Sequence, residues 1–345
     1  MNYPLRHENL FVTLLEATFT FLCVLFTFLF GIKIKNFVKR RRVLLKLPAV
    51  KSESVFLGHL DLLVKEQKSI SSHSTTQAYF NVIDKMGIEF QNQKEGCFRL
   101  DLSPLRSVVH LIQKETCDKI LTQASFIDKS FQYDLISNWL GSSLLTSGGN
   151  AWKMKRKLLS RGFHSKSLQS FVPVIDKHAK LLCHRIQGSL RKAEEVHIKN
   201  PHKIFLKTSL DIILDATMAV SSETEVTSRG YTDNLHEYSI LYIKRVSCPW
   251  LWLQPLYYLT KAGKRMKSCI ESMKTFTDNI IRRRIQETNK TNSCLLDLVL
   301  ESFELNEARN EVDTFIFAGH DTVSTQHKNF TSILKVIQYL SLLIR

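Results

Sequence analysis

The segment from Leu10 to Ile32 (LFVTLLEATFTFLCVLFTFLFGI) constrains this chain more than any other. It is 23 residues long, 17 of them apolar, and carries one charge, Glu16. As a helix it would extend about 34 Å, enough to cross a hydrocarbon core. No small-residue cleavage site follows, and the stretch is long for the core of a cleaved signal. Only Arg6 is basic ahead of it, whereas Lys33 to Lys46 (KIKNFVKRRRVLLK) carries seven basic residues and no acid. Counted by the positive-inside rule, that asymmetry puts residues 1–9 in the lumen and the body of the chain in the cytosol. The expectation is a transmembrane signal anchor over 10–32 and a basic stop-transfer segment over 33–46. A buried core helix is the plainer alternative, but it would need a polar face that the run lacks.

This placement changes how the charge is read. The formal net charge of +16 suggests a nucleic-acid binder at first sight. Yet seven basic residues lie in Lys33–Lys46 and six more in Ala151–Ser170, and neither window holds an acid. Lipid headgroups answer the first window, so no nucleic-acid partner is expected. Seven scattered cysteines make no disulfide framework. With 12 Gly and 7 Pro among 345 residues, and apolar residues at 44%, the body should be packed and mainly helical.

Gly87 to Asp101 alternates and predicts a hairpin turning at Gln91–Gly96. Helical spacing covers Ser103–Thr122, through Leu105, Val108, Val109 and Ile112, and begins again at Leu168 with Phe171, Val172, Ile175, Ala179 and Leu182. Further helices fit Phe205–Val220, Thr260–Ile285 and Leu305–Ser324. No internal repeat or domain-separating linker is visible, so 47–324 reads as one helix-dominated domain with a small sheet.

Two segments are candidates for chemistry. Trp152 and Arg156 are four apart, so an indole donor and a guanidinium share one helical face and suit a carboxylate or phosphate. On spacing alone, a basic solvated helix with one tucked Trp serves as well. In Glu311–Thr325 (EVDTFIFAGHDTVST), Val312, Phe315, Ile316, Gly319 and Val323 form an apolar stripe. Gly319 sits mid-helix at a cost of about 1 kcal/mol relative to Ala. Ala318, Gly319, Asp321 and Thr322 together would let a flat ligand approach and would carry protons. Close packing of Gly319 on a neighbouring helix is the competing account.

In combination these segments resemble the microsomal cytochrome P-450 superfamily, and within it the family-four group of fatty-acid and related hydroxylases. The resemblance rests on Trp139-Leu140-Gly141 with Leu144-Leu145-Thr146-Ser147, then Trp152 to Arg161, Phe163-His164, Phe171 and Pro173. Glu311-Val312-Asp313-Thr314-Phe315 and Gly319-His320-Asp321-Thr322 complete it. It implies a mainly α fold with small β-sheets and a haem-thiolate monooxygenase in the endoplasmic reticulum membrane. Such an enzyme takes electrons from an NADPH-dependent reductase and inserts one atom of O2 into an apolar small molecule: a fatty acid, a sterol-like hormone or a xenobiotic. Trp152 and Arg156 would bond a haem propionate, and Ala318 and Gly319 would lie where the central helix crosses the porphyrin. Asp321 and Thr322 would be the acid–alcohol pair that delivers protons. Ser247–Leu259 (SCPWLWLQPLYYL) would lie near the substrate entrance and dip into the bilayer.

The chain also departs from that pattern. All seven cysteines precede Glu311, so no axial cysteine loop follows the central helix, and no metal ligand is expected in this chain. The bracing Glu-x-x-Arg pair is missing, and 325–345 is a divergent Leu/Ile-rich tail. These departures imply a fold incomplete at the carboxy terminus and a chain without activity as it stands. The competing expectation is a non-catalytic truncated membrane protein that meets the reductase or the full-length enzyme. Ala318 replaces the Glu that many of the group use to esterify haem, so covalent attachment is not expected. His178, Cys183 and His184 share no helical face suited to a metal. Arg282-Arg283-Arg284 reads as a solvated helix end, and Asn289-Lys290-Thr291 as an unused glycosylation sequon.

Overall fold

The structure is a computed structural model that describes residues 5–50, 52, 58–70, 75–103, 106–190, 201–220, 225–287 and 294–323. Helices dominate them, joined by one two-stranded sheet. The chain divides into two compact units, Met1–Thr122 and Gln123–Arg345.

The first unit opens with α1 (Leu5–Leu44), which runs without a break through both the apolar segment and the basic run. Among the described residues, no helix is long and apolar enough to cross a membrane. Many side chains of 5–26 lie outside the described set; those described between Phe21 and Ile32 are exposed. Next come α2 (Leu60–Ser69), α3 (Thr75–Asn92), β1 (Cys97–Ser103), β2 (Arg106–Leu111) and α4 (Lys114–Leu121).

The predicted hairpin is displaced by one strand. Gly87–Asn92 continues α3, and the sheet forms between β1 and β2, with Phe98 opposite His110 and Leu100 opposite Val108. The helix wins because Val82, Met86 and Phe90, four apart, line one stripe and bury against Phe98, with the Phe90 and Phe98 rings stacked at 5.5 Å. The predicted helix over Ser103–Thr122 is correspondingly halved into β2 and α4.

A polar knot closes this unit. The Asp101 amide donates to Nδ1 of His59 at 2.8 Å, so Nε2 of His59 must donate to the Val50 carbonyl at 2.6 Å. Burial raises the Asp101 carboxyl, but bonds from Arg41 and Ser107 and the charges of Arg99 and Arg41 outweigh it and hold the group below its ordinary value. Arg41, one of the cations of the basic run, thus has a folded partner.

The second unit contains α5 (Phe131–Leu140), α6 (Gly149–Leu159), α7 (Ser165–Leu190), α8 (Pro201–Met218) and α9 (Glu225–Ser247). It continues with α10 (Gln254–Leu259), α11 (Lys261–Gln286), α12 (Leu295–Ser302) and α13 over 305–323. Trp139 of α5 is fully buried, with Tyr238 of α9 at 5.0 Å and Phe317 of α13 at 5.3 Å. Leu210, Met266, Met273, Val312 and Ile316 fill the same core. Fully burying each such side chain is worth about 1.5–3 kcal/mol. The expected solvated end at Arg284 is corrected: its guanidinium is buried and grips Asp297 through Nε at 2.9 Å and Nη2 at 2.6 Å. His178 is also explained, since its Nε2 meets Asp215 of α8 at 2.9 Å. Among the described residues no group of His, Cys, Asp or Glu is placed to hold a metal. The sequon at 289–291 and the tail 325–345 lie outside the described residues.

Candidate functional site

The site begins in the loop between α5 and α6. Gly141 ends α5 at φ +54°, and a Cβ there would lie 2.5 Å from Cγ of Asn310, so only glycine fits the turn. Thr146 Oγ1 donates to the Gly141 carbonyl at 2.6 Å and accepts from the Ser143 amide at 2.8 Å, which closes the loop on itself. This aims the Leu144 amide at α13, where it donates to Oε2 of Glu311 at 2.9 Å.

Helix α6 then turns one cation inward. Trp152 is half-buried, with the Lys129 ammonium 5.8 Å from its ring centre, whereas Lys153, Met154, Arg156 and Lys157 are exposed. Lys155 is the exception, its side chain 7% exposed against 0% for Glu311, and the pair meets at 2.9 Å. The Lys155 ammonium also lies 4.7 Å from the centre of the Phe303 ring. Burial pushes the Glu311 carboxyl above its ordinary value, against the pull of the Leu144 amide and Lys155.

Glu311 is the first member of a stripe. Steps of four, three and four residues carry it to Phe315, Ala318 and Thr322, all on one side of α13. Phe315 meets Phe163, just beyond α6, with ring centres 5.7 Å apart. After that the stripe opens. Ala318 and Thr322 are exposed, as is Asp321, whereas Val312, Asp313, Ile316 and His320 on the other side are buried. Thr322 Oγ1 donates back to the Ala318 carbonyl at 2.5 Å.

Gly319 faces elsewhere. A Cβ on it would lie 2.5 Å from Cδ1 of Ile213, so the glycine lets α13 approach α8. One turn of contact continues there, with Ser209 Oγ donating to the His320 carbonyl at 3.1 Å. Of the predicted residues, Trp152 and Arg156 therefore share α6, and Ala318, Asp321 and Thr322 lie on the exposed part of α13. Gly319 belongs to the helix contact. Lys155 and Glu311, which join the two helices, fall within motifs quoted from the sequence but were given no role there. Lys155 is hidden in a run of cations, and nothing in the order of residues marks which one turns inward.

These residues suit a flat apolar group with acidic arms. Ala318 keeps the helix surface low where such a group would lie, and Trp152 and Arg156 supply donors for carboxylates. None of the seven cysteines lies on α6 or α13; Cys269 is buried in the core, and Cys294 caps α12.

The pattern has relatives. Residues 77–330 match the family model described as Cytochrome P450. The chain is similar to Cytochrome P450 4V2 of Rattus norvegicus, 31% identical over 242 residues that make up 63% of this chain and 45% of the relative. Cytochrome P450 4V2 of Pongo abelii is 26% identical over 317 residues, 85% of this chain and 57% of the relative. Cytochrome P450 4d10 of Drosophila mettleri is 27% identical over 253 residues, covering 67% of this chain and 48% of the relative. The chain thus spans about half the length of the curated relatives it matches. Its match covers β1, β2, α6 and α13 together, and family membership implies haem as the cofactor. The chain belongs to the cytochrome P450 family.

Proposed function

We propose that this chain supplies the distal, haem-holding part of a membrane-anchored monooxygenase acting on an apolar small molecule. The observation that carries the reading is that Ala318, Asp321 and Thr322 are exposed on a helix whose middle, Glu311 to Thr314, is buried and tied to α6 through Glu311 and Lys155. The Trp152 indole and the Arg156 guanidinium would hold a haem propionate as a charge-assisted pair. Ala318 leaves room for the porphyrin face. Haem, when bound, supplies the binding and reduction of dioxygen. Asp321 and Thr322 would hold and pass protons from solvent, the hydroxyl leaving the Ala318 carbonyl to do so.

Electrons would come from an NADPH-dependent reductase, and the substrate would be a fatty acid, a sterol-like hormone or a xenobiotic. The domain would occupy 47–324 in the cytosol, anchored to the endoplasmic reticulum by a single span over 10–32. Supporting this, α1 is continuous through that stretch, Phe21, Val24 and Phe28 are exposed, and the cations follow on one side. Trp250, Leu253, Leu256 and Leu259 form a second exposed apolar group, around α10, suited to the same interface. A second reading, a non-catalytic membrane protein that engages the reductase or a full-length relative, draws on the position of the cysteines. None of the seven lies on α6 or α13.

Hemin titration of the full chain in detergent, followed by its Soret absorbance, separates the two. The first reading expects uptake near one per chain, weakened about tenfold by the double substitution W152F/R156L. Uptake that the double substitution leaves unchanged rejects the proposed site, and no uptake at all favours the non-catalytic reading.

A further inference from the structure

We propose that Lys155 and Glu311 form a positioning pair that sets the rotation of α6 on α13. This assigns the pair a role within the haem site proposed above and rests on that reading for its purpose. Three observations converge on Glu311. Oε1 meets Lys155 of α6 at 2.9 Å, Oε2 accepts from Leu144 of the preceding loop at 2.9 Å, and the carboxylate is fully buried. One side chain of α13 therefore fixes both the helix and the loop that leads into it.

Energetics argue for register rather than strength. A buried ion pair repays its desolvation only in good geometry, and apolar residues of similar size often stabilise as well. What apolar residues do not supply is a unique angle. Successive residues on a helix are separated by about 100°, and Lys153, Lys155, Arg156 and Lys157 offer four nearly equivalent cations. Glu311 selects one of them. With Lys155 turned inward, Arg156 is one residue round the helix and exposed, and Trp152 is three residues back on an adjoining face. Because Ala318 and Thr322 continue the Glu311 stripe, the same contact brings the donor face of α6 and the open face of α13 into one register. The Phe303 ring beneath the Lys155 ammonium narrows the choice further, since it favours a cation at that point.

The test replaces both charges, because Lys155→Met alone would strand a buried carboxylate. In K155M/E311Q the glutamine still accepts from the Leu144 amide, so cooperative unfolding should persist. Hydrogen exchange of the α6 amides is expected to quicken about tenfold, while α11 amides exchange as in the parent chain. Hemin binding should weaken by a similar factor, and Lys155→Arg, which keeps the charge, should behave like the parent. Unchanged exchange across α6 in K155M/E311Q would overturn the proposal. If the parent takes up no hemin but α6 still loosens in the double variant, the positioning pair stands and the haem reading falls.

Discussion

The hydroxyl of Thr277 donates to Oδ1 of Asp313 across 2.5 Å and joins α11 to α13 at a point where both residues are buried. Among the described residues, Oδ2 of Asp313 is buried without a hydrogen-bond partner, as is the hydroxyl of Tyr231. Burial outweighs the Thr277 bond and the charges of Lys274 and Arg309, and pushes the Asp313 carboxyl from 3.8 up to about 7. The fold therefore favours the neutral acid. Its contribution to stability is complete below the unfolded value, near pH 4, and declines as pH rises towards about 7, because the unfolded chain ionises first. Urea unfolding of the parent should lose roughly 2–3 kcal/mol from this group between pH 5 and 8. Asp313→Asn, neutral throughout, should remove that part of the slope; an identical slope in the variant would refute the account.

The contact between Gly319 and Ile213 gives a second prediction. Alanine favours a helix interior over glycine by about 1 kcal/mol, so G319A would ordinarily stabilise. Here the new methyl would lie 2.5 Å from Cδ1 and 2.9 Å from Cγ1 of Ile213. Overpacking of that kind costs about 1–3 kcal/mol, which cancels or exceeds the helical gain. Ile213→Val removes the colliding methyl. The pair G319A/I213V should accordingly be more stable than the sum of the single changes by about 1 kcal/mol, read as a coupling energy from denaturant midpoints. Simple additivity would mean that α8 and α13 lie farther apart than described.

Arg284 and Asp297 supply a third. The guanidinium and carboxylate meet through two parallel bonds, at 2.9 and 2.6 Å, and Asp297 also accepts from the Cys294 amide at 3.0 Å to cap α12. Asp297→Ala removes the fork and the cap together and leaves the buried Arg284 guanidinium without its bidentate carboxylate. A loss of about 3–5 kcal/mol is expected, typical of breaking a buried pair from one side. The double variant R284M/D297N should recover part of it, because no buried charge remains unpaired. Equal losses in the single and double variants would show that the unpaired guanidinium does not carry the effect.

Long periodic segments were the legible part of this chain. The apolar stripe of Glu311–Thr325 and that of Thr260–Ile285 correspond to α13 and to α11, because many repeats at helical spacing leave no second reading. Short segments were ambiguous for the same reason. Ile88 and Phe90 alternate as a strand would, yet Phe90 also follows Met86 by four, and burial against Phe98 decides for the helix. Val108 and Val109 fit a helical spacing until β1 supplies a partner strand. Within the candidate site, Trp152, Arg156, Ala318, Asp321 and Thr322 were readable as candidates, since their residue types suit the proposed chemistry. Lys155, Arg284 and Arg41 could not. Each is one cation in a run of cations, and only a carboxylate distant in sequence distinguishes it.

Arg41 offers the sharpest separation of such roles. Arg40 and Arg41 are neighbours in the same basic run, and a bilayer headgroup would treat them alike. Folding does not. Arg40 is exposed, whereas Nη1 of Arg41 reaches Asp101 Oδ1 at 2.8 Å and Ser107 Oγ at 2.5 Å. The Arg41 side chain is 23% exposed and that of Asp101 is 8%, so solvent screens the pair only in part. Arg41→Ala should cost about 1–2 kcal/mol in the unfolding of the first unit and speed exchange of the β1 and β2 amides. Arg40→Ala should leave both unchanged. Insertion into microsomes in vitro, scored by resistance to carbonate extraction, should be the same for the two variants, because six other cations remain in the run. Equal destabilisation by both substitutions would mean that the run acts on the fold only through its total charge.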